Sequence, residues 1–220
     1  MSSNERTPLA QAQEIADEVS NMIDKLCATL TIAGSIRRQR EDVGDIEIVV
    51  IPANAGSLRA RLDNLVMKGV ISQARYRHVD GKGNESFVPR WGDKLRCFIY
   101  KGVTIELAIA NPDNYGYSLW LHTGPADANK FIMNKLIEEQ AAIRFHDGYG
   151  WLTEYKGSAA LYRDKLSIPD EASLWKALRL PEIAPRWRTA QLYQTEWTGS
   201  ASKFLLMDMV IKDPKQQKLI

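Results

Sequence analysis

Cysteine is almost missing from this 220-residue chain: Cys27 and Cys97 are the only two, each among apolar neighbours and at no metal-ligand spacing. That excludes a disulfide scaffold and a thiolate zinc site, and predicts two buried free thiols in a reducing compartment. Histidine is scarce as well, and His78 and His146 read as polar surface with no metal role. No apolar run approaches the ~20 residues that span a membrane. Residues 1–7 are polar and lack a signal-peptide core. Repeats and low-complexity tracts are absent too. What remains is the composition of a soluble globular protein, 45% apolar and 25% charged. The length allows one domain or two small ones, each with a core. The expected setting is intracellular, cytoplasmic or nucleoid-associated, with no membrane partner, and the protein is expected to be a monomer.

The net charge is only +2, but it is unevenly spread. Between Arg59 and Lys101 stand ten Lys or Arg against Asp63, Asp80, Glu85 and Asp93. Such a stretch makes either a solvated face or a surface for a polyanion. Arg96, inside it, is a candidate DNA contact. The six tryptophans are spread along the chain and are expected to pack in cores and between subdomains.

Periodicity predicts a helix over 8–28, with Pro8 in its first turn, then a short β segment over 28–33. A strand over 46–51 is closed by Pro52, and a second helix covers 58–67. Residues 71–90 mix short strands with turn signals, which predicts a hairpin or a flexible loop. Strands over 95–100 and 103–109 are joined by Lys101-Gly102 as a two-residue turn. Helices are expected over 118–121, 127–139 and 167–178, strand and turn over 143–156, and an extended Pro-rich stretch over 180–188. An apolar stretch over 204–211 and a basic end complete the chain. This order of elements is α+β.

The chemistry concentrates at residues 34–50. Gly34-Ser35 forms a tight turn, Arg37 and Arg38 follow, and an apolar strand then carries Asp45 and Glu47. Residues two apart on a strand share a face. Two acids on one face repel unless a cation sits between them. Glu106 lies on another predicted strand. If the strands are neighbours, three carboxylates converge, enough to hold two Mg²⁺ ions for phosphoryl transfer. The amides of Gly34-Ser35 and the Ser35 hydroxyl could donate to phosphate, and Arg38 could offer a bidentate fork.

Gly34-Ser35-Ile36-Arg37-Arg38, five further residues and Gly44-Asp45-Ile46-Glu47 resemble the nucleotidyltransferase motif of the family X DNA polymerases, the group containing DNA polymerase beta. Thr104-Ile105-Glu106-Leu107 resembles the segment bearing that family's third carboxylate. Tyr115 to Leu119, Thr123-Gly124 and Asn129-Lys130 resemble the segment ending in Thr-Gly and an Asn-Lys pair. Leu180 to Arg186 resembles the end of the thumb. The similarity covers roughly residues 6–188.

The resemblance implies a nucleotidyltransferase palm with a mixed β-sheet and flanking helices over 1–110, a small thumb over 111–188, and an extension over 189–220. It implies a DNA-directed enzyme that adds dNMP from a dNTP to a DNA 3′-hydroxyl and releases pyrophosphate, in gap filling or repair synthesis. Asp45, Glu47 and Glu106 would be catalytic and would hold two Mg²⁺, or Mn²⁺. Gly34, Ser35, Arg38, Gly44 and Arg6 would meet the triphosphate. Leu121, His122, Thr123 and Gly124 would lie along the sugar, and Asn129 at the base edge. Lys130 and Met133 would face the DNA, a gapped or recessed primer end.

The chain departs from the family pattern where Glu47 and Glu106 replace aspartates, where Leu121-His122 replaces an aromatic pair, and where Met133 replaces an arginine. Only 33 residues precede Gly34, which predicts a minimal palm-plus-thumb form. Template-independent terminal transfer, small-molecule nucleotidyl transfer and a non-catalytic DNA-binding module remain as alternatives.

Overall fold

The computed structural model describes residues 6–81, 83–199 and 206–211. The polar residues 1–5, the start of the apolar stretch at 204–205 and the basic end at 212–220 lie outside them. The fold is α+β, and the chain divides into two compact units that meet at Asn111 and Pro112.

In the first unit, β1 (Thr7–Pro8) leads into α1 (Leu9–Ile23), and β2 (Cys27–Ile32) follows a short 3₁₀ turn. The Gly-Ser segment is a single helical turn, α2 (Gly34–Arg37), rather than an isolated bend. Next come β3 (Asp42–Val43), β4 (Ile46–Pro52), α3 (Ala55–Met67) and β5 (Ser72–Gln73). A separate hairpin, β6 (Arg75–Val79) with β7 (Glu85–Pro89), precedes β8 (Leu95–Tyr100) and β9 (Val103–Ile109). The hairpin resolves the alternative left open for residues 71–90.

Five strands form one mixed sheet in the order β2-β4-β9-β8-β5. β4 runs parallel to β9, while the other pairings in the sheet are antiparallel. Alternation decides what each face does. Ile46, Ile48 and Val50 are fully buried in a core with Ala12, Ile15 and Val19 of α1 and Leu58 and Leu62 of α3. Glu47 therefore stands on the face away from the helices. α3 opens where Asn54 accepts a hydrogen bond from the Ser57 amide at 2.9 Å, one residue pair after Pro52 ends the strand.

The second unit begins with α4 (Tyr115–Thr123) and α5 (Ala126–Glu138). A three-stranded antiparallel sheet follows, made of β10 (Ile143–His146), β11 (Tyr149–Lys156) and β12 (Ala159–Leu166). β12 has no counterpart in the expected elements, because Ala159 to Leu166 shows no strict alternation. α6 (Glu171–Leu178) starts four residues later than expected. Ser167 amide and Ile168 amide are engaged by carbonyls outside any helix, and Asp170 caps the helix by accepting from the Ser173 amide at 2.7 Å. α7 (Ala190–Glu196), also unforeseen, places Tyr193 in the core.

That core gathers Trp120, Ile132, Ile143, Leu166 and Trp175. Trp187, by contrast, is 61% exposed, so not every tryptophan packs inside. Gly116 makes the α4 contact possible: a Cβ there would lie 2.0 Å from the Asp170 carbonyl oxygen. Among the described residues no helix is long and apolar enough to cross a membrane.

Candidate active site

Parallel pairing of β4 and β9 sets Glu47 directly opposite Glu106. In-register residues on neighbouring strands share a face, so both acids leave the sheet on the side opposite α1 and α3. Asp45 sits one residue before β4 and acts electrostatically on both of them. Glu47 and Glu106 are therefore neighbours across the sheet, with Asp45 near enough for its charge to act on both.

The single turn α2 is tied to the same strand. The Ala33 amide donates to the Glu47 carbonyl at 2.7 Å. The Ser35 amide donates to the Glu47 carboxylate, and the Arg38 guanidinium donates to Ser35 Oγ at 3.0 Å. Gly34 has φ +61°, and a Cβ there would fall 1.6 Å from Glu47 Oε2. The Glu47 carboxylate thus fills the space where any other residue would carry a side chain. Gly34→Ala is expected to displace that carboxylate and to cost about 1–2 kcal/mol in left-handed strain alone. A melting curve checks the loss of stability.

Burial drives the Glu47 carboxyl up to about 8, reinforced by Asp45 and Glu106 and opposed by Arg38 and the Ser35 amide. Burial also raises Glu106, with Asp45 adding to it. Three neighbours oppose that second shift. Arg90 lies 3.8 Å from Glu106 Oε1, Cys97 Sγ lies 3.8 Å away and Tyr76 Oη 3.5 Å. The Arg90 guanidinium also stacks 4.1 Å above the Tyr76 ring. These three residues were not expected at the site. Cys97 could have been found, since the Lys101-Gly102 turn counts back to a Cys97–Glu106 pair. Tyr76 and Arg90 come from the β6–β7 hairpin and the loop after it, and no local pattern places them.

Among the described residues, no three His, Cys, Asp or Glu side chains are grouped closely enough to hold a metal ion as they stand. Glu47 is turned onto the Gly34-Ser35 backbone instead. The donor chemistry nevertheless fits a hard divalent cation: the set is all carboxylate oxygen, and burial and the nearby Asp45 charge make Glu47 and Glu106 harder to ionise, which a cation would offset.

The remaining candidates are distributed as follows. Arg6 is exposed, pairs with Asp42 at 2.5 Å and stands within 3.8 Å of a Cβ position on Gly44. Arg96 requires a correction. It is 4% exposed, ion-paired to Asp63 at 2.8 Å and stacked 4.7 Å over Trp91, so its guanidinium is used inside the first unit and is not presented to DNA.

In the second unit, Leu121, His122 and Thr123 end α4, and Gly124 caps it with φ +67°. Asn129 is buried, and its Nδ2 donates to the Leu121 carbonyl at 2.8 Å. Its Oδ1 is buried with no hydrogen-bond partner among the described residues. Lys130 is exposed on α5, and Met133 packs partly buried against the core.

Burial pushes His122 down to about 4. A depressed histidine contributes stability above its unfolded value, and that stability is lost as the pH falls. The second unit should therefore weaken between about pH 6.5 and 4, by up to roughly 3 kcal/mol. His122→Gln should flatten that part of the profile in urea titrations across the range.

No protein-family model matches this chain, and no curated protein matches it significantly.

Proposed function

We propose that the protein transfers a nucleotide from a dNTP to the 3′-hydroxyl of a DNA strand. The observation that carries this is the placing of Glu47 opposite Glu106 on one sheet face, with Asp45 acting on both and the amide-rich Gly34-Ser35 turn bound to the same strand. A pure binding surface gains nothing from gathering three repelling carboxylates. A phosphoryl-transfer site requires them, since its main need is to position charge.

Asp45, Glu47 and Glu106 would hold two Mg²⁺ or Mn²⁺ ions. Bound there, the ions would neutralise the triphosphate oxygens and lower the pKa of the attacking hydroxyl. Glu106 receives the 3′-hydroxyl proton, and its raised basicity suits that task. The 3′ oxygen forms a bond to the α-phosphorus as the α–β bridging bond breaks, and pyrophosphate leaves. Ser35, Arg38 and the Gly34 and Gly44 backbone face the leaving phosphates, with Arg6 beside Gly44. By the resemblance described above, Leu121 to Gly124 and Asn129 would contact the nucleotide, and Lys130 and Met133 the DNA.

The test is incubation of the protein with gapped, recessed and single-stranded DNA, each dNTP and Mg²⁺ or Mn²⁺. Template-directed extension supports gap filling, and extension of a single strand supports terminal transfer. Absence of extension on every substrate overturns nucleotidyl transfer to DNA.

A further inference from the structure

The β6–β7 hairpin pairs Arg75 with Pro89 and Arg77 with Phe87. Registered residues share a face, so both arginines and the phenylalanine project from one side. That side lines an open groove of about 1070 Å³ in the first unit, together with Arg6 and Lys101. Among the described residues, four cations line the groove and no Asp or Glu does. Arg6, Arg77 and Lys101 are each paired with an acid outside the lining (Asp42, Glu85 and Glu18), at exposed positions where a phosphate can replace the partner. Phe87 is 63% exposed at this rim. The groove reaches Gly44 and Thr104, which lie one and two residues before Asp45 and Glu106.

Cations alone would suit any polyanion, duplex DNA included. An exposed aromatic ring among them has no use against a duplex, whose outer surface offers phosphate and sugar. It has one against an unpaired strand, whose bases present open faces for stacking. We propose that this groove binds single-stranded nucleic acid, with Phe87 stacking on a base and Arg6, Arg75, Arg77 and Lys101 meeting the phosphates. The strand held there is the unpaired segment leading to the reacting 3′ end. That second statement rests on the proposed nucleotidyl transfer, whereas the binding does not.

Fluorescence anisotropy tests it with a labelled oligothymidylate and a blunt duplex of equal length, at low salt and without dNTP or divalent cation. Phe87→Ala is expected to weaken single-strand binding about tenfold and to leave duplex binding unchanged. Phe87→Leu, which keeps the apolar bulk but loses the ring, should behave like the alanine variant. Arg75→Ala should weaken both substrates and reduce the salt slope by about one. Circular dichroism of each variant confirms that the hairpin is intact.

Undiminished single-strand binding by Phe87→Ala, or an equal loss on duplex, overturns the proposal. A Phe87-dependent single-strand affinity in a protein that extends no DNA keeps the groove and removes the enzyme. Extension without any Phe87 effect on single-strand binding removes the groove and keeps the enzyme.

Discussion

Asp45→Asn should lower nucleotide incorporation by about 10³-fold or more, while the cation-free protein melts at the same temperature as the wild type or higher. The two effects have one source. The Asp45 charge pushes up the pKa of both Glu47 and Glu106, which is to say that it repels their ionised forms. Removing it relieves the folded state and, on the proposed function, takes away a ligand for the cations. Roughly 4 kcal/mol of transition-state stabilisation corresponds to a loss of that size. Primer extension measures the first effect, and thermal melting with and without Mg²⁺ measures the second. Added Mg²⁺ should stabilise the wild type and leave Asp45→Asn nearly unchanged. Full incorporation by the variant would remove the three-acid site from consideration.

The second large effect concerns stability alone. Arg188 is 1% exposed in the second unit, donating to the Glu171 carboxylate at 2.7 Å and to the Ile183 carbonyl at 3.0 Å. Its guanidinium also covers the Trp175 ring at 5.0 Å. Glu171→Ala leaves that cation buried with only a carbonyl and a ring for company. A loss of about 3–5 kcal/mol is expected, because the full desolvation cost is no longer offset. The double variant Glu171→Leu with Arg188→Met should recover much of it, since neither charge then remains inside. Urea unfolding followed by tryptophan fluorescence decides between the two outcomes. A single variant as stable as the wild type would mean that water reaches Arg188.

The Lys101-Gly102 turn, Pro52 and the alternation of Ile46, Ile48 and Val50 made the central strands legible, because each signal lies within a few residues of the element it sets. The same locality explains what was illegible. Tyr76 and Arg90 reach Glu106 only after a hairpin folds over the sheet, and nothing near residues 76 or 90 announces that partner. Arg96 looked like part of a basic surface because a charge count is blind to burial. Asp63, 33 residues earlier, draws it inside. β12 was missed because its outer positions alternate poorly, and the bulge between Trp151 and Thr153 of β11 alters the register that would have revealed it. The meeting of the acids was legible only in part. Spacing put Asp45 and Glu47 together, but Glu106 needed a parallel pairing that spacing does not encode.

That parallel pairing also imposes an order of events on the folding chain. Hairpin β8–β9 closes across two residues, whereas β4 reaches β9 only after everything from Ala53 to Gly102 has been gathered in. Closing a loop of about 50 residues costs roughly 3.5 kcal/mol of chain entropy before the contact returns anything. Pairings of this kind form slowly, after local ones. The repelling pair Glu47–Glu106 is thus kept apart through early collapse and is joined only when apolar neighbours on both strands can hold it. A partly folded chain contains the hairpin and the helices but not the Glu47–Glu106 pair, so the two charges meet only once the sheet around them is in place.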